Sequence, residues 1–196
     1  MSKTPEQETA IKNLKFEINL WIRYYDMRRA FFSAFHMGRE LTIPALILVV
    51  FIGSTAENIA VPITASILAL VIFIGTYLFG MHDVLMGGFA GAVSFHDRMY
   101  RSFINLKIEM LDEEQYDKVR KKMYDIFESP MFFSQPFRRA IWVCAYNQTC
   151  AACGIPEKYY LTKWQRMMAN ILPMRATTFK VISDISAIPD IRLAYF

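Results

Sequence analysis

The sequence predicts an all-α membrane protein: a two-helix transmembrane hairpin with cytoplasmic amphipathic helices and a small C-terminal helical domain. Three observations predict this fold class: two long apolar runs, a central stretch without bases, and helical periodicity in both flanks. The 196 residues are 54% hydrophobic and 20% charged, which fits neither a fully buried bundle nor a disordered chain. No Lys or Arg lies between Arg39 and Arg98. Apolar and charged residues are therefore segregated along the chain.

The two apolar runs are separated only by the polar dipeptide Glu57-Asn58. The first run reads LTIPALILVVFIGSTA over 41–56, and the second reads IAVPITASILALVIFIGTYLFGM over 59–81. A transmembrane helix needs about 20 apolar residues. The second run meets this length, and the first meets it when it begins within the preceding segment AFFSAFHM.

We therefore predict a transmembrane hairpin over 30–82, with spans at about 35–56 and 59–81. Pro44 and Pro62 fall near the starts of the two apolar runs, where they mark helix entry or a slight kink. A buried helical hairpin in a soluble protein is the alternative, but two adjacent base-free runs of this length are rare in soluble cores.

The placement of bases predicts the orientation of the hairpin. The connecting dipeptide carries no base, whereas both flanks are basic next to the membrane: Lys12, Lys15, Arg23, Arg28 and Arg29 before it, Arg98, Arg101 and Lys107 after it. Bases are enriched on the cytoplasmic side. We therefore expect both termini in the cytoplasm, with an amphipathic helix over 1–29 and a helical region over 83–196.

The N-terminal helix has two apolar stripes. One stripe is formed at three- and four-residue steps by Ile11, Leu14, Ile18, Trp21, Ile22 and Tyr25; the opposite side carries Phe16, Leu20 and Tyr24. Ile18 and Trp21 are therefore candidate helix-packing residues. Either both stripes pack within one chain, or one packs against a neighbouring copy.

Small residues predict close helix packing after the second span. The proline-free segment 83–110 continues as a helix, and Gly87 and Gly91 form a GxxxG step that permits close approach of helices. Glycine used for flexibility is the alternative.

Three further helices are predicted in the C-terminal region. Asp112 caps the first, over 113–129, which stops before Pro130. The others cover 137–153 and 158–172, ended by Gly154 and Pro173 respectively. No strand alternation is evident, and the tail from Arg175 has weak helical character.

The residues that carry chemistry form no recognisable catalytic site. The pairs His82-Asp83 and His96-Asp97 lie about 21 Å apart on a continuous helix, too far to share a metal. Cys150 and Cys153 have CxxC spacing and Cys144 precedes them, but no second pair or nearby His completes a zinc site. Free core thiols are the better interpretation. We expect no enzyme activity, no metal and no cofactor.

Four cationic residues are candidates for binding an anionic ligand or a lipid phosphate. Arg29 and His36 continue an apolar stripe of the first helix, where a base needs an acid, a lipid phosphate or an anionic ligand as its partner. Arg138 and Arg139 follow Phe132, Phe133 and Phe137, and such interleaving docks on headgroups or packs within the protein. The net charge of +4 is too modest to indicate direct nucleic-acid binding.

Residues 11–154 contain, in order, a basic amphipathic helix, a tight hairpin, a long emerging helix and a small helical domain. This layout resembles that of two-transmembrane effectors of bacterial antiphage systems. It is closest to the SLATT family and is similar to effectors that accompany some retron reverse transcriptases. The resemblance implies a homo-oligomer in the bacterial inner membrane that permeabilises or depolarises it when triggered. The implied partners are membrane lipid and a regulatory sensor protein, nucleotide synthase or reverse transcriptase complex.

Two other functions fit the sequence. A membrane-anchored scaffold would use the hairpin only to hold a helical binding domain. A phage holin-like lysis protein would also contain a hairpin, but the long cytoplasmic portion disfavours it. Hydroxyl residues in the two spans (Ser54, Thr55, Thr64, Ser66 and Thr76) do not share one helix face, which argues against a large static channel.

Overall fold

A computed structural model of the chain describes residues 4–55, 60–81, 88–133, 137–170 and 179–181. This part of the chain is mostly helical, as the all-α prediction requires. Its elements are α1 (Pro5–Thr55), α2 (Ala60–Met81), α3 (Gly88–Glu109), α4 (Tyr116–Glu128), α5 (Pro130–Phe133), α6 (Arg139–Ala152), β1 (Tyr159–Tyr160), α7 (Lys163–Met168) and β2 (Lys180–Val181). The chain divides into two compact units, one formed by 1–28 with 97–196 and the other by 29–96.

The first helix is longer than predicted and runs without interruption through Pro44. It contains 51 residues, so the interpretation of Pro44 as a helix entry is wrong. A proline inside a helix removes one backbone hydrogen bond, and the long helical segments on both sides of Pro44 keep the helix continuous here. Pro62 lies in the first turn of α2, where the missing N–H has no helical acceptor to lose.

Among the described residues, α1 is the one helix that is long and apolar enough to cross a membrane. In α2 the corresponding apolar stretch with described side chains, Pro62–Val71, is shorter than a span. The second span of the hairpin therefore stays a prediction.

The segment after α3 follows its sequence signals closely. Asp112 accepts a hydrogen bond from the Glu114 backbone N–H at 3.1 Å, which caps a 3₁₀ turn over Glu113–Gln115 before α4 begins. The predicted helix over 137–153 is α6, and Gly154, with φ +70°, follows its end. A positive φ is strained for most residues and free for glycine.

The helix predicted over 158–172 is wrong in its first five residues, and the observed helix ends at Met168. Tyr159 and Tyr160 instead form β1 and pair antiparallel with Val181 and Lys180 of β2. The helix α7 starts only at Lys163, because Thr162 and Gln165 form a capping box. The Thr162 hydroxyl accepts from the Gln165 backbone N–H, and the Gln165 side-chain oxygen accepts from the Thr162 backbone N–H. Adjacent aromatic residues favour an extended strand.

Candidate functional site

The dominant feature of the unit formed by 29–96 is an exposed apolar surface on both long helices. We call it the apolar belt. Its members are between 43% and 68% exposed: Met37, Leu41, Ile47, Leu48, Val49, Phe51 and Ile52 on α1, and Ile63, Ile67, Leu68, Leu70 and Val71 on α2. Soluble monomers rarely expose contiguous apolar patches beyond a few hundred Å². The belt is therefore a candidate interaction surface, of the kind that contacts a membrane or another protein.

Each helix of this unit also has one covered stripe. The covered or half-covered positions recur at three- and four-residue steps: Ile43, Leu46, Val50 and Gly53 on α1, and Pro62, Ala65 and Ala69 on α2. Several of these residues are small, which permits close helix approach. The other described side chains of both helices in this unit are mostly apolar and exposed.

Two threonine hydroxyls near the belt bond to their own helices. Thr42 donates to the Gly38 carbonyl at 2.6 Å, and Thr64 donates to the Ala60 carbonyl at 2.8 Å. Polar groups in hydrocarbon must be satisfied internally because no water is available. These hydroxyls therefore do not oppose burial of the belt in lipid.

A small aromatic cluster joins α1 and α3 within the same unit. Phe32 and Ala92 are buried, with Phe31, Phe35 and Val93 packed against them. The His96 ring stacks on Phe32 with centroids 5.1 Å apart, so this histidine belongs to the packing of the unit. Gly91 lies half-buried beside Ala92, whereas Gly87 and the His82-Asp83 pair lie outside the described residues.

The unit formed by 1–28 with 97–196 has an aromatic core centred on Trp21. Trp21 is 5% exposed, and its ring lies within 6.3 Å of six others: Tyr24, Tyr25, Phe103, Phe127, Phe132 and Phe137. Ile18 is 1% exposed, and Phe16, Leu20 and Tyr24 of the opposite stripe are also buried. Both stripes of the N-terminal helix therefore pack within one chain, and neither is left for a neighbouring copy.

Arg28 is the buried cation of this core. It is 2% exposed, and its Nη1 donates to the Asn170 carbonyl at 3.3 Å. Its charge also acts on two buried tyrosines: burial raises the pKa of Tyr24 and Tyr25, and nearby Arg28 partly opposes that rise. Arg28 thus links α1 to the chain that follows α7.

Arg138 lies close to the same tyrosine. Its backbone N–H donates to the Tyr24 hydroxyl at 3.1 Å, and its half-buried guanidinium has an Nε with no hydrogen-bond partner among the described residues. Arg139 is exposed. Phe132 is buried, and the Phe137 ring stacks on Tyr24 with centroids 5.6 Å apart, so these two aromatic residues pack within the protein.

The other predicted cations lie on α1 in the unit formed by 29–96. Arg29 is half-buried, and His36 Nδ1 lies 3.9 Å from Glu40 Oε1, an ion pair when the imidazole is protonated. Arg29 and His36 therefore belong to one unit, whereas Arg138 and Arg139 belong to the unit formed by 1–28 with 97–196.

The sequence interpretation missed Arg28, although a signal for it exists. Arg28 follows Trp21 by seven residues and Tyr24 by four, and it precedes Phe32 by four. These steps place it on the same helix face as the buried aromatic residues. Periodicity measured from the aromatic residues, rather than from the isoleucines, identifies the buried arginine.

The core-thiol prediction is confirmed for Cys144 and Cys150 of α6 and is wrong for Cys153, which is exposed just after that helix. All three are free, with Cys144 and Cys150 buried and Cys153 exposed. Burial raises the pKa of the Cys144 and Cys150 thiols, which lowers their thiolate fraction and hence their reactivity. Within the described ranges, no group of three or more His, Cys, Asp or Glu side chains is arranged to hold a metal ion.

Compared with protein-family models, with curated proteins and with solved structures, the chain matches none.

Proposed function

We propose that this chain inserts a two-helix hairpin into the bacterial inner membrane, with both termini in the cytoplasm, and that triggered oligomers of it permeabilise or depolarise that membrane. The apolar belt carries the proposal. Exposed Leu, Ile, Val and Phe side chains lie along α1, and exposed Leu, Ile and Val side chains lie along α2. Burial of each such side chain stabilises the protein by about 1.5–3 kcal/mol. Lipid is the solvent that supplies this burial without a protein partner.

The length of α2 supports a second span. It has 22 residues and no charged side chain, so it is about 33 Å long, close to the hydrocarbon thickness of a bilayer. The acid-containing, base-free dipeptide Glu57-Asn58 suits the outer side of the membrane, because bases collect on the cytoplasmic side.

Assembly of several copies is required for permeabilisation, since one hairpin cannot enclose a pore. Both stripes of the N-terminal helix are already buried within one chain, so the surface available for assembly in the membrane is the apolar belt itself. Thr64 and Ser66 are both exposed on α2 but lie about 200° apart around the helix. A polar lining therefore requires rearrangement of the helices, which is consistent with a triggered effector.

The proposal is tested by induced expression in bacteria, with and without neighbouring genes. We expect a voltage-sensitive dye to report depolarisation, and a membrane-impermeant DNA dye to enter the cells. The matched control replaces residues 41–81 with an unrelated transmembrane hairpin, which should insert without depolarising the cell. Intact potential with the natural hairpin under every trigger would contradict the effector function.

A membrane-anchored scaffold is the second candidate, favoured by the separate aromatic core of the unit formed by 1–28 with 97–196. A scaffold requires only that this unit be held at the membrane. The hairpin replacement distinguishes the two functions, because a scaffold keeps its biological activity with any hairpin and an effector loses it.

Arg29 provides a narrower test of the effector function. It is half-buried on α1, at the cytoplasmic end of the proposed span. We expect Arg29→Ala to insert normally and to reduce oligomer formation and toxicity, with Lys121→Ala as the control at an exposed position of α4. Unchanged oligomers and unchanged toxicity would remove the functional role of this cation.

A further inference from the structure

The short helix α7 and the strand β1 before it expose large apolar residues that the core does not use. Tyr160, Trp164 and Met167 are 55%, 59% and 64% exposed. The chain has three tryptophans, and the other two, Trp21 and Trp142, are only 5% and 6% exposed. Trp164 is therefore the one tryptophan that faces outward.

The opposite side of α7 fixes this orientation. Leu161 and Ala169 are buried at 7% and 0% exposure, with the half-buried Gln165 midway between them. Gln165 and Ala169 lie about one helical turn apart on the inner side, Leu161 is buried just before the N-cap, and the capping box between Thr162 and Gln165 sets the start of the helix. The buried residues at both ends of α7 hold the helix with Trp164 on its exposed side.

Bases surround the exposed apolar residues. Lys163 and Arg166 are exposed on α7, and the half-buried Lys158 has its ammonium 5.9 Å above the Tyr159 ring. Between residues 157 and 168 there are three bases and one acid, Glu157. The acid is engaged, because its Oε2 accepts from Asn147 Nδ2 at 3.4 Å. The surface is therefore both apolar and positively charged.

We propose that this face, formed by Tyr160 of β1 and by Lys163, Trp164, Arg166 and Met167 of α7, is an interfacial anchor that binds the anionic surface of the lipid bilayer. Tryptophan and tyrosine prefer the headgroup level of a membrane, because one part of each ring is apolar and the other forms hydrogen bonds. Lysine and arginine are attracted to anionic phospholipid headgroups. The bilayer satisfies both the apolar and the charged part of the face.

The anchor rests on the proposed membrane insertion of the hairpin and adds a second, weaker contact to it. Each base near an anionic membrane surface changes the ratio of bound to free states by about fivefold. Two bases thus give about a 25-fold preference for an anionic over a neutral surface. The hairpin tethers the chain to the bilayer, and such a tether lets a modest preference contribute to binding.

The test uses the full-length chain reconstituted into vesicles that contain brominated phosphatidylcholine, which quenches tryptophan only on contact with lipid. Insertion is first verified by resistance to carbonate extraction, so failure of insertion is recognised separately from failure of the anchor. We expect quenching in vesicles that also contain phosphatidylglycerol, less quenching in purely zwitterionic vesicles, and loss of the quenched component in Trp164→Phe.

Charge reversal tests the electrostatic part. Lys163→Glu with Arg166→Glu should abolish the difference between the two vesicle types, whereas Lys118→Glu with Lys121→Glu, an equal charge change at exposed positions of α4, should preserve it. An inserted protein whose Trp164 is unquenched in both vesicle types would overturn the anchor, as would equal quenching in both. Protection of Trp164 from aqueous iodide without lipid quenching would assign the face to a protein partner instead.

Discussion

The two parts of α1 carry similar apolar residues and use them in opposite ways. Between residues 11 and 25, the apolar side chains are mostly buried in an aromatic core, whereas between 37 and 52 most of them are exposed. The helix is continuous through both parts. Hydrophobicity alone therefore does not predict whether the protein buries a side chain. Burial depends on the apolar neighbours that the same chain provides.

Polar residues show the same contrast. In the unit formed by 1–28 with 97–196, bases pair with acids at the surface, as Lys15 does with Glu113 at 2.6 Å and Lys122 with Glu109. The paired Lys122 lowers the pKa of the Glu109 carboxyl. In the apolar part of α1, the Thr42 hydroxyl bonds only one turn back along its own helix. The ion pairs of the first unit lie at a surface exposed to water. The Thr42 hydroxyl, by contrast, forms its hydrogen bond without water.

The largest expected effect on stability is the difference between replacing the buried Trp21 and replacing the exposed Trp164. Trp21→Ala removes the centre of the aromatic core and should lower the free energy of unfolding by about 3–5 kcal/mol. Trp164→Ala removes an exposed side chain and should stay within about 0.5 kcal/mol. Thermal unfolding in detergent, followed by near-ultraviolet circular dichroism, measures both variants. Equal losses would mean that α7 is packed as tightly as Trp21.

The next effect separates the two kinds of exposed leucine. Leu48 is 58% exposed in the apolar belt and Leu111 is 80% exposed beyond α3. Leu48→Arg should impair membrane insertion, because arginine costs about 2.5–3.5 kcal/mol near the centre of a span. Leu111→Arg should be harmless. The fraction of protein that resists carbonate extraction checks both, and a normally inserted Leu48→Arg would break the lipid interpretation of the belt.

A smaller effect separates buried and exposed arginine. Arg28→Gln shortens the side chain that donates to the Asn170 carbonyl and should destabilise the protein by about 1–3 kcal/mol, because a buried polar group loses its partner. Arg139→Gln, at an exposed position, should be close to neutral. Denaturant unfolding in detergent gives both values. A neutral Arg28→Gln would show that Arg28 does not hold the segment after α7.

The smallest effect concerns the pH dependence contributed by Glu17. Burial raises the pKa of this carboxyl, and the hydrogen bond from Trp21 only partly opposes the rise. A raised pKa means that the folded state binds the proton more tightly than the unfolded state. Stability from this group is therefore present in acid and is lost as the pH rises through the unfolded and then the folded pKa.

Glu17→Gln tests this sign, since glutamine keeps an acceptor for Trp21 without the charge. The variant should be slightly more stable than the natural chain at neutral pH and should lack this part of the pH dependence. Unfolding midpoints measured across the weakly acid range compare the two proteins. A less stable variant at neutral pH would indicate that the hydrogen bond to the charged carboxylate outweighs the cost of burial.

Much of the local structure followed from short-range signals. Asp112 caps the turn before α4, and Gly154 lies where α6 ends, because caps and left-handed glycines act within one helical turn. The capping box of Thr162 and Gln165 is a signal of the same kind. It would have separated β1 from α7 if the adjacent Tyr159 and Tyr160 had been interpreted as extended.

The sequence by itself determined the helical class, the segregation of apolar and charged residues, and the helix ends marked by Asp112 and Gly154, because these depend on neighbours a few positions apart. Only the tertiary structure decided that both stripes of the N-terminal helix are buried within one chain, that Arg28 and not Arg29 lies in the aromatic core, and that Trp164 faces outward. Those outcomes depend on contacts between residues distant in sequence, such as Arg28 with Asn170. Periodicity shows which residues share a face of a helix, and packing decides what covers that face.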